Sequence, residues 1–244
     1  MILVLLALSA IAFFISFIYI EKISPRLICT IISGLLVFVS LGAIVGNFYS
    51  HWGMHQVSQT SSKQIYSADT SGKMKMILYQ DIGTSGKRNV FIYNAQPDAK
   101  KVSHTQGNEY TKNNVVRSNR KTAIMRTTEK RWKYKSSWGS FWFGIAGNNS
   151  ELISRQNKFF LPKTWFKLST VQVKELKATL SSKAFKAQAQ KKAAVYVETK
   201  LKEAIAEDPA IATDKAKQNQ LIKQFTAEFQ ANLIKETVSE IKKK

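Results

Sequence analysis

Residues 1–20 and 27–49 carry no charged side chain, and only Glu21, Lys22 and Arg26 add charge to the short segment between the two runs. Each run exceeds the roughly 18 residues that mark a membrane-spanning helix, so together they constrain the chain to begin as a transmembrane helical hairpin. The basic n-region and small-residue cleavage site of a signal peptide are missing, since the chain starts Met1-Ile2-Leu3 and meets Glu21 directly after Tyr19-Ile20. The hairpin is therefore expected to be an uncleaved anchor, and everything after Ser50 hangs from it.

Orientation follows from Lys and Arg in short flanking segments. The interhelical loop holds Lys22 and Arg26, while residues 50–62 hold neither residue type. This places the loop in the cytoplasm and both chain termini outside it, giving a two-pass protein of the cell membrane with the lipid bilayer as its first partner. Gly42 and Gly46 lie four apart in the second run, with Ser33 and Gly34 two turns earlier; Ala7, Ser9, Ala10, Ala12 and Ser16 lie in the first. Small residues let helix backbones approach closely. Their simplest use is packing the two helices together, and their alternative use is docking another membrane protein. Tyr49 and Trp52 fit an interfacial aromatic belt.

Cys29 is the only cysteine, which excludes an intramolecular disulfide and any multi-cysteine metal site. The net charge of +21 is concentrated in residues 51–168, which carry +14 of it. Such a field attracts polyanions, whether anionic lipid or cell-wall polymers. Nucleic acid is not expected, because neither zinc-finger spacing nor an RNA-binding signature is present. His51, Met54 and His55 are weak metal candidates: two imidazoles and a thioether cluster there, but Gly53 interrupts a helix and no third histidine or carboxylate is near. No cofactor is expected.

Residues 50–168 read as a β-rich domain of antiparallel strands, with short Val-, Ile-, Thr-, Tyr- and Phe-rich runs between turn residues. Residues 74–81 and 89–94 flank Gly83-Thr84-Ser85-Gly86-Lys87 as a hairpin, and residues 115–117, 122–128, 131–135, 159–161 and 165–168 read as further strands. Pro162 suits an edge or a bend. Trp132, Trp138, Phe141, Trp142 and Phe143 crowd beside Lys130, Arg131, Lys133 and Lys135. Aromatics are favoured in strands, so they are expected to fill the core of a small sheet. The other use of Lys130, Arg131, Lys133, Lys135, Trp132, Trp138 and Trp142 is to bind a polyanion or to dip into the lipid interface. The six acidic residues of the region are scattered, and the motifs of common catalytic sites are absent, so catalysis is not expected.

Residues 169–244 shift to Ala, Lys, Gln and Glu and read as an α-helical tail. Ser169 with Gln172 makes a capping-box start, Asp208-Pro209 begins a second helix, and apolar residues recur at helical spacing in both. The expectation is an amphipathic helical hairpin packed within the molecule, ending in a solvated, frayed Lys242-Lys243-Lys244. The fold class is thus α+β.

One set of residues carries a resemblance: the two-helix anchor, His51-Trp52-Gly53-Met54, the strand-like Gln64-Ile65-Tyr66-Ser67, Phe143-Gly144-Ile145-Ala146-Gly147-Asn148-Asn149 and Leu161-Pro162-Lys163-Thr164-Trp165. The chain up to about Leu168 resembles a family of uncharacterised membrane proteins of lactic-acid-type Gram-positive bacteria that carries a domain-of-unknown-function label. The resemblance implies a membrane protein and assigns no chemistry to any residue. The sequence therefore points to a membrane-anchored, non-enzymatic accessory or scaffold protein of the cell envelope, serving another envelope component such as a transporter. The alternative is a basic surface module for anionic lipid or cell-wall polymers.

Overall fold

The structure is a computed structural model that describes residues 1–69, 74–83, 88–97, 99 and 101–243. Helices α1 (Ile2–Tyr19) and α2 (Ile23–Ser50) form the hairpin, and both are long and apolar enough to cross a membrane. The turn is tighter than the sequence suggests. Helix α2 starts at Ile23, with Pro25 tolerated in its first turn, where its missing N–H has no partner to lose. Arg26 reaches back across the turn, its guanidinium donating to the carbonyls of Ile20 (2.6 Å) and Glu21 (3.0 Å). The same side chain that sets the predicted orientation therefore also satisfies carbonyls at the end of α1.

The seam between the helices is lined by small polar residues at seven-residue spacing: Ser9 and Ser16 on α1, and Ser33, Ser40 and Asn47 on α2, are all buried. A sevenfold repeat keeps one narrow stripe of each helix facing the other. Ser9, Ser16 and Ser33 each donate to the carbonyl four residues back, so their hydroxyls are satisfied within their own helix and the backbones can close together.

Among the described residues, eight strands follow in two four-stranded sheets. The first, in order β1-β6-β7-β5, comprises β1 (Met54–Gln64), β6 (Ile124–Tyr134), β7 (Leu152–Pro162) and β5 (Thr111–Ser118). The second, in order β4-β3-β2-β8, comprises β4 (Ser103–His104), β3 (Arg88–Tyr93), β2 (Met76–Ile82) and β8 (Phe166–Ser169). The sheets are mixed rather than wholly antiparallel, because β5 pairs with β7 and β2 with β8 in parallel. The stretches 122–128 and 131–135 merge into the single strand β6, whose ladder to β1 runs unbroken from Met54↔Tyr134 to Gln64↔Ile124. Strands β2 and β3 pair antiparallel, while residues 84–87 of the expected turn lie outside the described residues. Pro162 ends β7, and the Trp165 N–H donates to its carbonyl.

The two sheets face each other over Ile65, Ile77, Phe91, Tyr93, Ala123, Met125, Phe159, Leu161 and Trp165. Alternation along β2 sends Ile77 and Tyr79 into this core and Met76 and Leu78 to the opposite face. That opposite face is covered by α4 (Thr170–Ser181) and the end of α6 (Lys215–Lys243), through Val173, Leu176, Val238 and Ile241. The body is thus three layers: sheet, sheet, helices.

The Ser169 capping box is complete, with Gln172 N–H donating to the Ser169 hydroxyl and Ser169 N–H donating to the Gln172 carboxamide. A break at Ser182 separates α4 from α5 (Lys183–Glu207), where the Ser182 hydroxyl accepts from Phe185 N–H. Asp208 caps a 3-10 turn, Pro209–Ala212, rather than α6 itself. Helix α5 buries no residue, and the base of the α5–α6 hairpin is held by Val238 and Ile241 at the end of α6. At that base the expected frayed terminus is instead helical through Lys243. Burial, together with the nearby charges of Arg117 and Lys167, pulls the Lys242 ammonium below its ordinary pKa.

Candidate functional site

The hairpin and the first sheet meet at the C-terminal end of α2, and the chemistry of that junction begins with Gly46. Its carbonyl accepts from the N–H groups of His51 and Trp52, which end the helix. Its hydrogen-only Cα lies under the Trp52 indole: a Cβ there would sit 2.3 Å from the ring. Gly46 therefore seats Trp52 rather than α1. A Cβ on Gly42 would meet no atom within 4 Å, and one on Gly34 would meet the Phe13 ring at 3.3 Å. Two left-handed residues, His51 and Gly53, then turn the chain into β1.

Below this turn is a buried polar network that ties three elements together. Asn47, the last polar residue of the α2 seam, donates from its carboxamide to the Trp52 carbonyl (2.8 Å). Asn148, in the loop before β7, donates to the Asn47 Oδ1 (3.0 Å), and the hydroxyl of Tyr134, at the end of β6, donates to the Asn148 Oδ1 (2.6 Å). All three residues are buried. Burial pushes the Tyr134 phenol above its ordinary pKa, against the smaller effect of its hydrogen bond with Asn47, which keeps it a donor at neutral pH. Beside the network the His51 ring stacks on Trp132 with centroids 4.2 Å apart, and its Nε2 contacts the Glu151 carboxylate at 3.1 Å.

The other contact to the hairpin is made by α3 (Ser137–Phe143) and the 3-10 turn Gly144–Ala146. The Ser136 hydroxyl caps α3 by accepting from Gly139 N–H. At the far end, the Met1 ammonium donates to the carbonyls of Phe141 (2.9 Å) and Trp142 (3.0 Å). A positive group on two unsatisfied helix carbonyls is a favourable C-terminal cap. Ile2, Leu3, Ile44, Asn47 and Phe48 of the hairpin and Phe143, Ile145 and Ala146 line a shared cavity of about 170 Å³.

This geometry overturns the expectation that the aromatic run fills a sheet core. Residues 137–143 form a helix that buries none of its side chains, and Trp138 and Phe141 are 67% and 52% exposed. Of the predicted polyanion-binding residues, Lys130 and Trp132 lie on one face of β6, and Arg131 and Lys133 on the other. Arg131 is engaged by Glu129 (2.8 Å), which also accepts from Arg155 (2.6 Å). The Arg131 hydrogen bond, with that of Arg155, holds the Glu129 carboxyl below its ordinary pKa against the opposing effect of burial. Lys135 follows the strand and precedes α3, with Trp138 and Trp142 beyond it. The predicted metal candidates do not converge. Met54 is buried, His55 lies on the opposite face of β1, and His51 is taken by Trp132 and Glu151. Among the described residues no group of three or more His, Cys, Asp or Glu side chains is arranged to hold a metal ion.

The residues that sequence reasoning missed are Asn47, Tyr134 and Asn148. Asn47 carried the signal, as a carboxamide inside an otherwise apolar span.

The stretch from the hairpin turn to α4, residues 22–176, matches the family model of a domain of unknown function, DUF4811. The chain belongs to the DUF4811 family. In this DUF4811 protein the matched range takes in α2, both sheets and most of α4, so the second apolar helix and the sheet body fall within one family unit. A search among curated proteins and among solved structures finds no match.

Proposed function

We propose that this DUF4811 protein is a membrane-anchored, non-enzymatic accessory protein in the envelope of a lactic-acid-type Gram-positive bacterium. It crosses the membrane twice, with both termini outside the cytoplasm, and holds its β domain against the outer surface as a scaffold for another membrane component such as a transporter. The observation that carries the reading is the Asn47–Asn148–Tyr134 network with the Met1 clamp. A flexible tether needs no such joint; a scaffold that must present its body in a fixed pose does. Of the Gly42 and Gly46 pair, Gly42 is the open position, since Gly46 is occupied by Trp52.

The test is photo-crosslinking in intact cells from a reactive residue placed at Val39, an exposed position three residues before Gly42 on α2. A discrete heteromeric adduct whose yield falls in a Gly42→Leu chain supports the scaffold reading. Adducts to lipid alone contradict it.

A second reading, a surface module for anionic envelope polymers, is favoured by the register of the first sheet. Arg126 pairs with Lys158, and Lys130 lies further along β6 on the same face; all three are exposed. Binding through these groups falls steeply as salt rises. Full-length protein in detergent that fails to retain wall polymer at low ionic strength rules this reading out.

A further inference from the structure

We propose that α3 and its 3-10 turn are an interfacial lipid-binding element. Trp138, Phe141 and Ile145 lie in the headgroup–acyl boundary of the leaflet in which α1 begins and α2 ends. The inference rests on the reading of α1 and α2 as membrane spans and adds a third contact that their apolar character does not require.

The level of the boundary follows from the hairpin. Helix α1 has 18 residues, a length of about 27 Å at 1.5 Å per residue, close to the roughly 30 Å hydrocarbon thickness. Its two ends therefore mark the two boundaries. Ile2 and Leu3 share a cavity with Ile44, Asn47 and Phe48 of α2 and with Phe143 and Ile145, so the end of α3 stands at the same height as the start of α1. The Met1 ammonium, which belongs outside the hydrocarbon, fixes that height by bonding the carbonyls of Phe141 and Trp142.

The exposed chemistry suits this level. Trp138, Phe141 and Ile145 are 67%, 52% and 64% exposed, and the Trp138 ring stacks on Phe141 and meets Trp142 edge-on. Exposed apolar side chains such as Val102, Val116 and Val171 occur on any protein surface and need no account. A contiguous apolar group is different and marks a contact. Lys133 and Lys135 are exposed just before α3, and Tyr49 and Trp52 are exposed at the end of α2. Aromatic rings with flanking lysines are the composition that anchors a segment at the lipid interface. The occupant is therefore the bilayer itself.

The experiment uses full-length protein in a Cys29→Ser background, reconstituted into phosphatidylglycerol-containing vesicles, with a nitroxide at one site per sample. The sites are Trp138→Cys, Ile145→Cys, Leu8→Cys within α1 and Ser62→Cys on the exposed strand β1. The ratio of collision rates with oxygen and with a water-soluble nickel complex reports immersion. At positions 138 and 145 the ratio should stand severalfold above that at 62 and below that at 8. Ratios at 138 and 145 equal to that at 62, with position 8 immersed, overturn the inference and leave the anchor intact. Position 8 in water overturns the anchor as well. Spectral broadening at 138 and 145 that is removed by dilution with unlabelled protein assigns the patch to self-association and also overturns the inference.

Discussion

Replacing Asn148 by alanine tests the joint between hairpin and body. The substitution removes the hydrogen bonds to Tyr134 (2.6 Å) and to Asn47 Oδ1 (3.0 Å) in a buried setting. Each is worth about 1 kcal/mol net, and a stranded buried polar group costs about 1–3 kcal/mol more. The Tyr134 hydroxyl can still reach Asn47 Oδ1 at 3.5 Å, which recovers part of that penalty. The expected loss is about 2–3 kcal/mol, or about 5–10 °C in Tm for a body of this size. The control is Asn149→Ala: Asn149 is exposed, and its replacement should cost less than about 0.5 kcal/mol. The assay is thermal unfolding in detergent followed by near-ultraviolet circular dichroism, with amide exchange read at the end of β6 and the start of β1. A fall in Tm for Asn148→Ala with faster exchange confined to the junction supports the network. Equal Tm values for the two variants, with unchanged exchange, refute it.

Other consequences are as direct. Leu176 is fully buried between α4 and the second sheet, so Leu176→Ala should cost about 2–5 kcal/mol and expose the α5–α6 hairpin to limited proteolysis before the sheets are cut. Gly46→Val should expel the Trp52 indole, seen as a shift in tryptophan emission and greater quenching by iodide, whereas Gly42→Val should leave both unchanged. The Glu129 carboxyl has a folded pKa below its unfolded value of about 4.5, so its stabilising contribution is full above that value and is lost as pH falls through the folded pKa. The stability gap between wild type and Glu129→Gln in denaturant titrations should therefore be constant from neutral pH to about 5 and narrow steadily once the pH falls below the unfolded value.

What was legible in the chain follows from what each signal depends on. The hairpin needed only hydropathy, and the α4 start needed only Ser169 and Gln172. Strand β1 was obscured because Ser58, Gln59, Thr60, Ser61 and Ser62 are all exposed, so an edge strand with water on both faces shows no alternation. The parallel pairings of β5 with β7 and of β2 with β8 join segments far apart in the chain and leave no local trace. Helix α3 was readable: Trp138, Phe141, Trp142 and Ile145 recur at i, i+3, i+4 and i+7, a helical period that the density of aromatics disguised as strand. The junction depends on Asn47 meeting Asn148 across most of the body, which only the fold brings about.

The proposed hairpin would place the whole body on the outer side of the membrane and its short loop on the inner side. The most direct measurement is labelling of intact cells with a membrane-impermeant maleimide, using a Cys29→Ser chain that carries a single cysteine at Ser62 or at Glu21. Position 62 should label at once and position 21 only after the cells are permeabilised. Labelling of 21 in intact cells with 62 protected inverts the topology, and labelling of both contradicts a hairpin that spans the membrane.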